Sequence, residues 1–194
     1  FGPQQVAIYA IGFTFLNFLR SLWNTVFSPF SQRFNHFVGI NNKIKLKALI
    51  DDIVDYTYPL SIIVTITLII IAKPLILFWV GNEYSNSILI VQILIVGTAF
   101  GFIMNPANYY FSSMTKYAYI NSMAISLPLV FIFLTYLLTP KIGILGISIA
   151  KSTAIICGFI ISLMGLSRFY NPFKVIKKWS LNLIFFSGLL VYIL

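Results

Sequence analysis

Six apolar stretches, most of them close to the length of about 20 residues that carries a helix across hydrocarbon, take up most of this chain. Few folds are open to such segments. Hydrocarbon offers no partner to a backbone N–H or C=O, so each stretch must close its hydrogen bonds within itself as a helix. The spans fall at about 6–28, 58–79, 87–111, 118–138, 142–166 and 179–194, predicting an all-α, polytopic transmembrane helix bundle. Apolar residues at 59% and charged residues at 9%, with a mean hydropathy of +0.94, exclude an ordinary water-soluble domain. The chain opens Phe1-Gly2-Pro3 without an initiator methionine and stops in the apolar run Val191-Tyr192-Ile193-Leu194, so it reads as a piece of something longer with its last span cut short.

The charges orient these spans. Arg33, Lys43, Lys45, Lys47, Lys116, Arg168, Lys174, Lys177 and Lys178 fall on one side of the alternation, and only Lys73 and Lys141 on the other. Basic loops stay in the cytoplasm, so the first span runs from outside to inside and Gly81-Asn82-Glu83-Tyr84 is an external turn. The net charge of +9 therefore expresses membrane topology, and no nucleic acid partner is expected. Residues 41–57 place Leu46, Leu49, Ile50, Ile53 and Val54 on one helical face. They read as an amphipathic cytoplasmic connection, either lying among anionic headgroups through Lys43, Lys45 and Lys47 or simply leading into the next span.

Only two ionisable groups lie well inside a span, and both are cations: Arg20 and Lys151. A charge at the bilayer centre costs about 2.5–3.5 kcal/mol on insertion scales, so it persists where a partner, a wet cavity or a substrate meets it. All four acids, Asp51, Asp52, Asp55 and Glu83, lie outside the spans, which leaves an anionic substrate as the natural counterpart. Beside Arg20, the residues Thr14, Asn17, Ser21, Asn24 and Ser28 recur at helical spacing as a polar stripe, lining a cavity or bonding a neighbouring helix. Lys151 has Ser148 and Ser152 nearby, and Asn105-Pro106 with Asn108, Tyr109 and Tyr110 interrupts the third span as a kink or polar contact point. The pairs Gly97/Gly101 and Gly143/Gly146 read as close helix packing. Substrate-cavity candidates are thus Arg20, Lys151, Asn17, Asn24 and Asn105. Cys157, alone and within a span, can form no disulfide inside the chain, and His36 sits in a polar loop without a second ligand at metal spacing. Neither a metal site nor a cofactor is expected, and no catalytic motif of a hydrolase or nucleotide-binding protein occurs.

The order of features resembles a known family. Val6-Ala7-Ile8-Tyr9-Ala10 opens a span that Ser28-Pro29-Phe30-Ser31 closes, and a basic amphipathic connection follows. Then come Lys73-Pro74-Leu75-Ile76-Leu77-Phe78-Trp79-Val80-Gly81-Asn82-Glu83-Tyr84, Asn105 in the next span, and Gly143-Ile144-Leu145-Gly146-Ile147-Ser148-Ile149-Ala150. This resembles the carboxyl-terminal half of Wzx-type polysaccharide flippases, of the multidrug/oligosaccharidyl-lipid/polysaccharide exporter superfamily. The resemblance implies a two-lobed transporter whose amino-terminal lobe is absent here. Such a protein moves polyprenyl-diphosphate-linked oligosaccharide across the bacterial inner membrane by alternating access, among membrane lipids and with a coupling ion as a further partner. The resemblance thus implies a transporter, not an enzyme. Other readings are a cation-coupled drug exporter, which favours membrane carboxylates that this half lacks, a membrane polymerase or acyltransferase, which wants a sizeable external loop, and a structural scaffold.

Overall fold

A computed structural model describes residues 2–167 together with Asn171, Lys177 and Ser180, the side chains of Thr57, Tyr58, Phe102 and Ile103 excepted. The sixth span expected over 179–194, apart from Ser180, and the basic residues Arg168, Lys174 and Lys178 lie outside the described residues. Five α-helices follow one another: α1 (Pro3–Gly39), α2 (Lys43–Val80), α3 (Ser87–Ser113), α4 (Tyr117–Ile142) and α5 (Ile144–Leu166), with a single 3-10 turn, Asn82–Tyr84, before α3. There is no strand among the described residues. All five helices are long and apolar enough to cross a membrane. Their outward faces agree with that medium: Ile125, Leu129, Ile132, Phe133 and Tyr136 stand exposed along α4, a patch that water would not tolerate and hydrocarbon requires.

Short turns separate the helices, and each has a local cause. Asn41 takes a left-handed φ of 52°, which asparagine adopts more readily than other side chains, and the Asn42 side-chain oxygen accepts the Lys45 N–H at 3.0 Å to cap α2. Gly81 and Gly143, at φ of 87° and 62°, carry the turns at the opposite end, where a side chain would be strained. The pair Gly143/Gly146 therefore divides into two roles. Gly143 is a turn residue with open space where a side chain would stand, whereas Gly146 lies against the α4 backbone at Leu138 and Thr139.

The connection expected over 29–57 is helical almost throughout. Helix α1 continues through Pro29 to Gly39, so His36 sits on its last turns rather than in a loop, and α2 starts at Lys43 and runs unbroken through Pro59. At 37 and 38 residues these helices reach about 55 Å, well beyond the roughly 30 Å of a hydrocarbon layer. The amphipathic face is real, but it faces protein. Leu46, Leu49, Ile50, Ile53 and Val54 are buried in one apolar cluster with Phe27 and Phe34, flanked by Phe30, Phe37 and Val38. Lys43, Lys45 and Lys47, at the start of the same helix, remain exposed.

Small side chains set the register of the bundle. Lipid supplies no hydrophobic drive between membrane helices, so association depends on close backbone approach and interhelical hydrogen bonds. A methyl added to Gly97 would lie 2.6 Å from Ser152 Cα, and the Ser152 hydroxyl donates to the Ile93 carbonyl at 2.7 Å. Gly101 faces Ile155, Met104 faces Gly158 and Phe111 faces Gly165, so α3 and α5 run parallel. On the other side of α5, Gly158 meets Leu127, Ser162 meets Met123 and Gly165 meets Tyr119, an antiparallel pairing with α4. Gly12 packs on Ile90 and holds α1 parallel to α3, while Gln92 Nε2 reaches the Ile69 carbonyl of α2 at 3.2 Å. Alternation of direction collects Arg33, Lys43, Lys45, Lys47 and Lys116 at one end of the bundle, called the basic end below, and Lys73 and Lys141 at the far end.

The substitution Gly97→Ala is expected to remove about 1–3 kcal/mol by overpacking the α3–α5 crossing and so lower the thermal unfolding midpoint in detergent. Gly39→Ala, where nothing lies within 4 Å, should leave the midpoint unchanged or slightly raised.

Candidate substrate cleft

Around α1 the sequence distributes its chemistry by angle. Ile8, Gly12, Phe15, Leu16, Leu19 and Trp23 form the packed face. Thr14, Asn17, Ser21, Asn24 and Ser28 occupy the opposite side and are all exposed. The hydroxyls of Thr25 and Ser28 turn back onto the helix, to the carbonyls of Ser21 and Thr25 at 3.1 Å each. An asparagine amide carries two donors and an acceptor, more than one backbone carbonyl can satisfy, so the exposed Asn17 and Asn24 keep capacity for outside partners. Arg20 stands between the packed face and the stripe, half-buried, almost at the middle of a 37-residue helix.

There Arg20 closes one end of a cavity of about 220 Å³. Helix α1 contributes Arg20, Trp23 and Asn24, and α3 contributes Thr98, Gly101, Met104, Asn105 and Asn108. Leu127 of α4 and Ile155 of α5 complete the lining. On α3 the lining positions fall three or four apart, so they share one face and run from the height of Arg20 toward the basic end. The absence of a side chain at Gly97 and Gly101 brings α5 close on one side, and the small Gly12 does the same for α1, which leaves the polar face of α3 as the floor between them. Pro106, inside α3 between the lining residues Asn105 and Asn108, has no N–H to give the carbonyl one turn earlier.

Of the expected candidates, Arg20, Asn24 and Asn105 meet in this cavity; Asn17 and Lys151 are not among its lining residues. Asn17 stands about two turns from Asn24 along the exposed stripe, toward the far end and past Arg20, which closes the cavity on that side. Lys151 stands one turn from the lining residue Ile155, with its ammonium 5.1 Å from the ring centroid of Phe131 on α4. Because Arg20 and Thr98 share the cavity and Gly97 touches Ser152, the two cations lie at the same height in the bundle. Of the serines beside Lys151, Ser152 bonds α3 through the Ile93 carbonyl, whereas Ser148 is fully buried with its hydroxyl unpartnered. Thr98 is absent from the candidates read from the sequence, and Asn108 enters there only as part of the Asn105-Pro106 interruption; the spacing of Thr98, Asn105 and Asn108 along α3 is the signal that puts them on one face. Trp23 and Leu127 had no such signal.

Chemically the cleft offers one guanidinium, three carboxamides and an indole in a setting that holds no carboxylate. A guanidinium binds phosphate or carboxylate oxygens through a planar fork, and carboxamides supply a donor and an acceptor together, which suits hydroxyl-rich groups. Its volume is below the range of about 300–1,000 Å³ typical of pockets that enclose a whole small ligand, so it holds a head group or a single ring and leaves the rest on the open polar stripe. No family model, no curated protein and no solved structure matches this chain. What the fold defines is a polytopic helical membrane protein with a cationic, amide-lined cleft at mid-bundle.

Thiol labelling reads the polarity of this cleft. In a Cys157→Ala background, Asn24→Cys and Asn105→Cys are expected to react with small water-soluble methanethiosulfonates, and Leu94→Cys, at 1% exposure, is not. Near Arg20 an anionic reagent should outpace its cationic analogue, and Arg20→Gln should abolish that preference.

Proposed function

We propose that this chain belongs to a transporter of the multidrug/oligosaccharidyl-lipid/polysaccharide exporter superfamily. Within it, the reading that the residues favour is a Wzx-type flippase moving polyprenyl-diphosphate-linked oligosaccharide across the bacterial inner membrane. The observation that carries this reading is Arg20, mid-helix and half-buried, in one cavity with Asn24, Asn105 and Asn108 while no acid lies within the spans. An anionic head group would offset the cost of holding that guanidinium in a low-dielectric site, and the amides would take sugar hydroxyls. The exposed stripe of α1, turned away from its own bundle, suits a cleft closed by a second lobe and wet between the two.

In this reading the diphosphate enters from the basic, cytoplasmic side, toward which the cavity extends from Arg20. Its hydrocarbon tail stays in the bilayer while the sugars follow the polar stripe. A cation-coupled drug exporter fits less well, since cationic drugs and coupling ions call for carboxylates at the depth where this chain presents Arg20 and Lys151.

Arg20→Ala is expected to reduce externally exposed lipid-linked sugar about tenfold or more at matched expression, the equivalent of one charge-assisted contact. Unchanged export in the Arg20→Ala/Lys151→Ala double variant would overturn the assignment.

A further inference from the structure

Lys151 was expected in the cavity, and the structure places it one turn away. On α5 it follows the lining residue Ile155 by one turn toward the far end, and on α4 Phe131 follows the lining residue Leu127 in the same direction. The two helices are antiparallel, so these turns meet, about 6 Å beyond the α4–α5 wall of the cavity. The ammonium lies over the Phe131 ring at 5.1 Å from its centroid, within the range of about 6 Å where a ring face attracts a cation. It stands at the height of Arg20, a like charge with no carboxylate among the cavity residues between them.

We propose that Phe131 is a positioning residue that holds the Lys151 ammonium on the α4 wall, in reserve, until a ligand with a second anionic group draws it to the Arg20 cavity. This rests on the anionic-substrate reading above and adds to it a division of labour: Arg20 is the fixed cation, present to any anion, and Lys151 is the mobile one. Three physical facts make the arrangement consistent. An empty cleft with two free cations at one height and no carboxylate would be destabilised by their repulsion, and the electron-rich ring face offsets part of it. A lysine stem has four rotatable bonds, so its head can swing without moving α5. A charge-assisted bond to a phosphoryl oxygen is stronger than contact with a benzene ring, so a second phosphoryl group wins the ammonium, while a ligand filled by Arg20 alone leaves it in place. The favoured ligand class is a diphosphate, or a phosphate joined to an acidic sugar, over a monophosphate.

The consequence has an unusual sign: weakening the hold of the ring should improve binding. Ligand affinity is measured on the full chain in lipid nanodiscs with farnesyl diphosphate, farnesyl monophosphate and inorganic pyrophosphate as probes. Phe131→Leu, which keeps an apolar side chain but removes the ring face, should tighten farnesyl diphosphate about threefold, the size of a weak cation–π contact, and leave the monophosphate unchanged. Phe131→Tyr keeps the ring and should match the parent. Lys151→Met should weaken the diphosphate and make Phe131→Leu silent. The proposal is overturned if Phe131→Leu leaves diphosphate binding unchanged or weaker, or if it acts equally in the Lys151→Met background, which would mark a packing effect. If pyrophosphate shows the full pattern and the prenyl diphosphate does not bind, the reserve cation stands and the lipid-linked reading falls. If the prenyl diphosphate binds without dependence on Phe131, the reverse holds, and if none of the three probes binds, both are overturned.

Discussion

The contact of Gly97 with Ser152 fixes the heights at which the side chains of this bundle stand. Membrane helices gain nothing from hiding apolar surface from lipid, so the choice among registers falls to the places where backbones come closest. Here a glycine removes the one atom that would hold α3 and α5 apart, and the serine opposite uses its hydroxyl to bond a carbonyl of the partner helix. Sliding α5 by one turn would break that bond and drive side chains into Gly97. The same contact places Lys151 level with Thr98, and hence with Arg20. A packing detail at one glycine thus decides the electrostatics of the cleft.

Around this axis the helices divide their work. Helix α5 is lined with Gly146, Ala150, Ala154, Gly158 and Gly165 and serves as the spine that α3 and α4 both grip. Helix α3 turns small residues to α5 and a polar face to the cavity. Helix α4 touches little besides α5 and offers lipid an apolar side, so it gives the cleft only Leu127, with Phe131 one turn beyond it against Lys151. Helices α1 and α2 differ again. Their long aromatic and aliphatic seam, from Phe27 to Val54, stiffens the part of the molecule that carries the exposed lysines and anchors α1, on which Arg20 stands.

Much of this organisation could be read from the residues. Apolar length gave the helices, charge asymmetry gave their alternation, and the isolated position of Arg20 among polar residues pointed to a cleft. The GxxxG pair read correctly as packing because small residues have few other uses in a membrane helix. Helix ends were less legible: residues 29–40 are polar enough to resemble a loop but mostly continue α1, and the amphipathic face read over 41–57 is turned to Phe34 and Phe27 inside the protein. The candidates also separated by height. Asn24 and Asn17 are seven residues apart and share one helical face, but two turns set them about 10 Å apart along α1, and the cavity reaches only Asn24.

The sequence by itself determined that this is a helical membrane protein with two cations and no acids in its spans, because the transfer cost of a backbone amide or a charge into hydrocarbon depends on composition and length, not on neighbours. Tertiary structure alone decided which polar residues share a cavity and what each cation does. Arg20 meets Asn24, Asn105 and Asn108, while Lys151, at the same height, is turned to the ring of Phe131. That distinction rests on rotation and register between helices, set by glycine contacts many residues away, and no property of Lys151 in its own segment contains it.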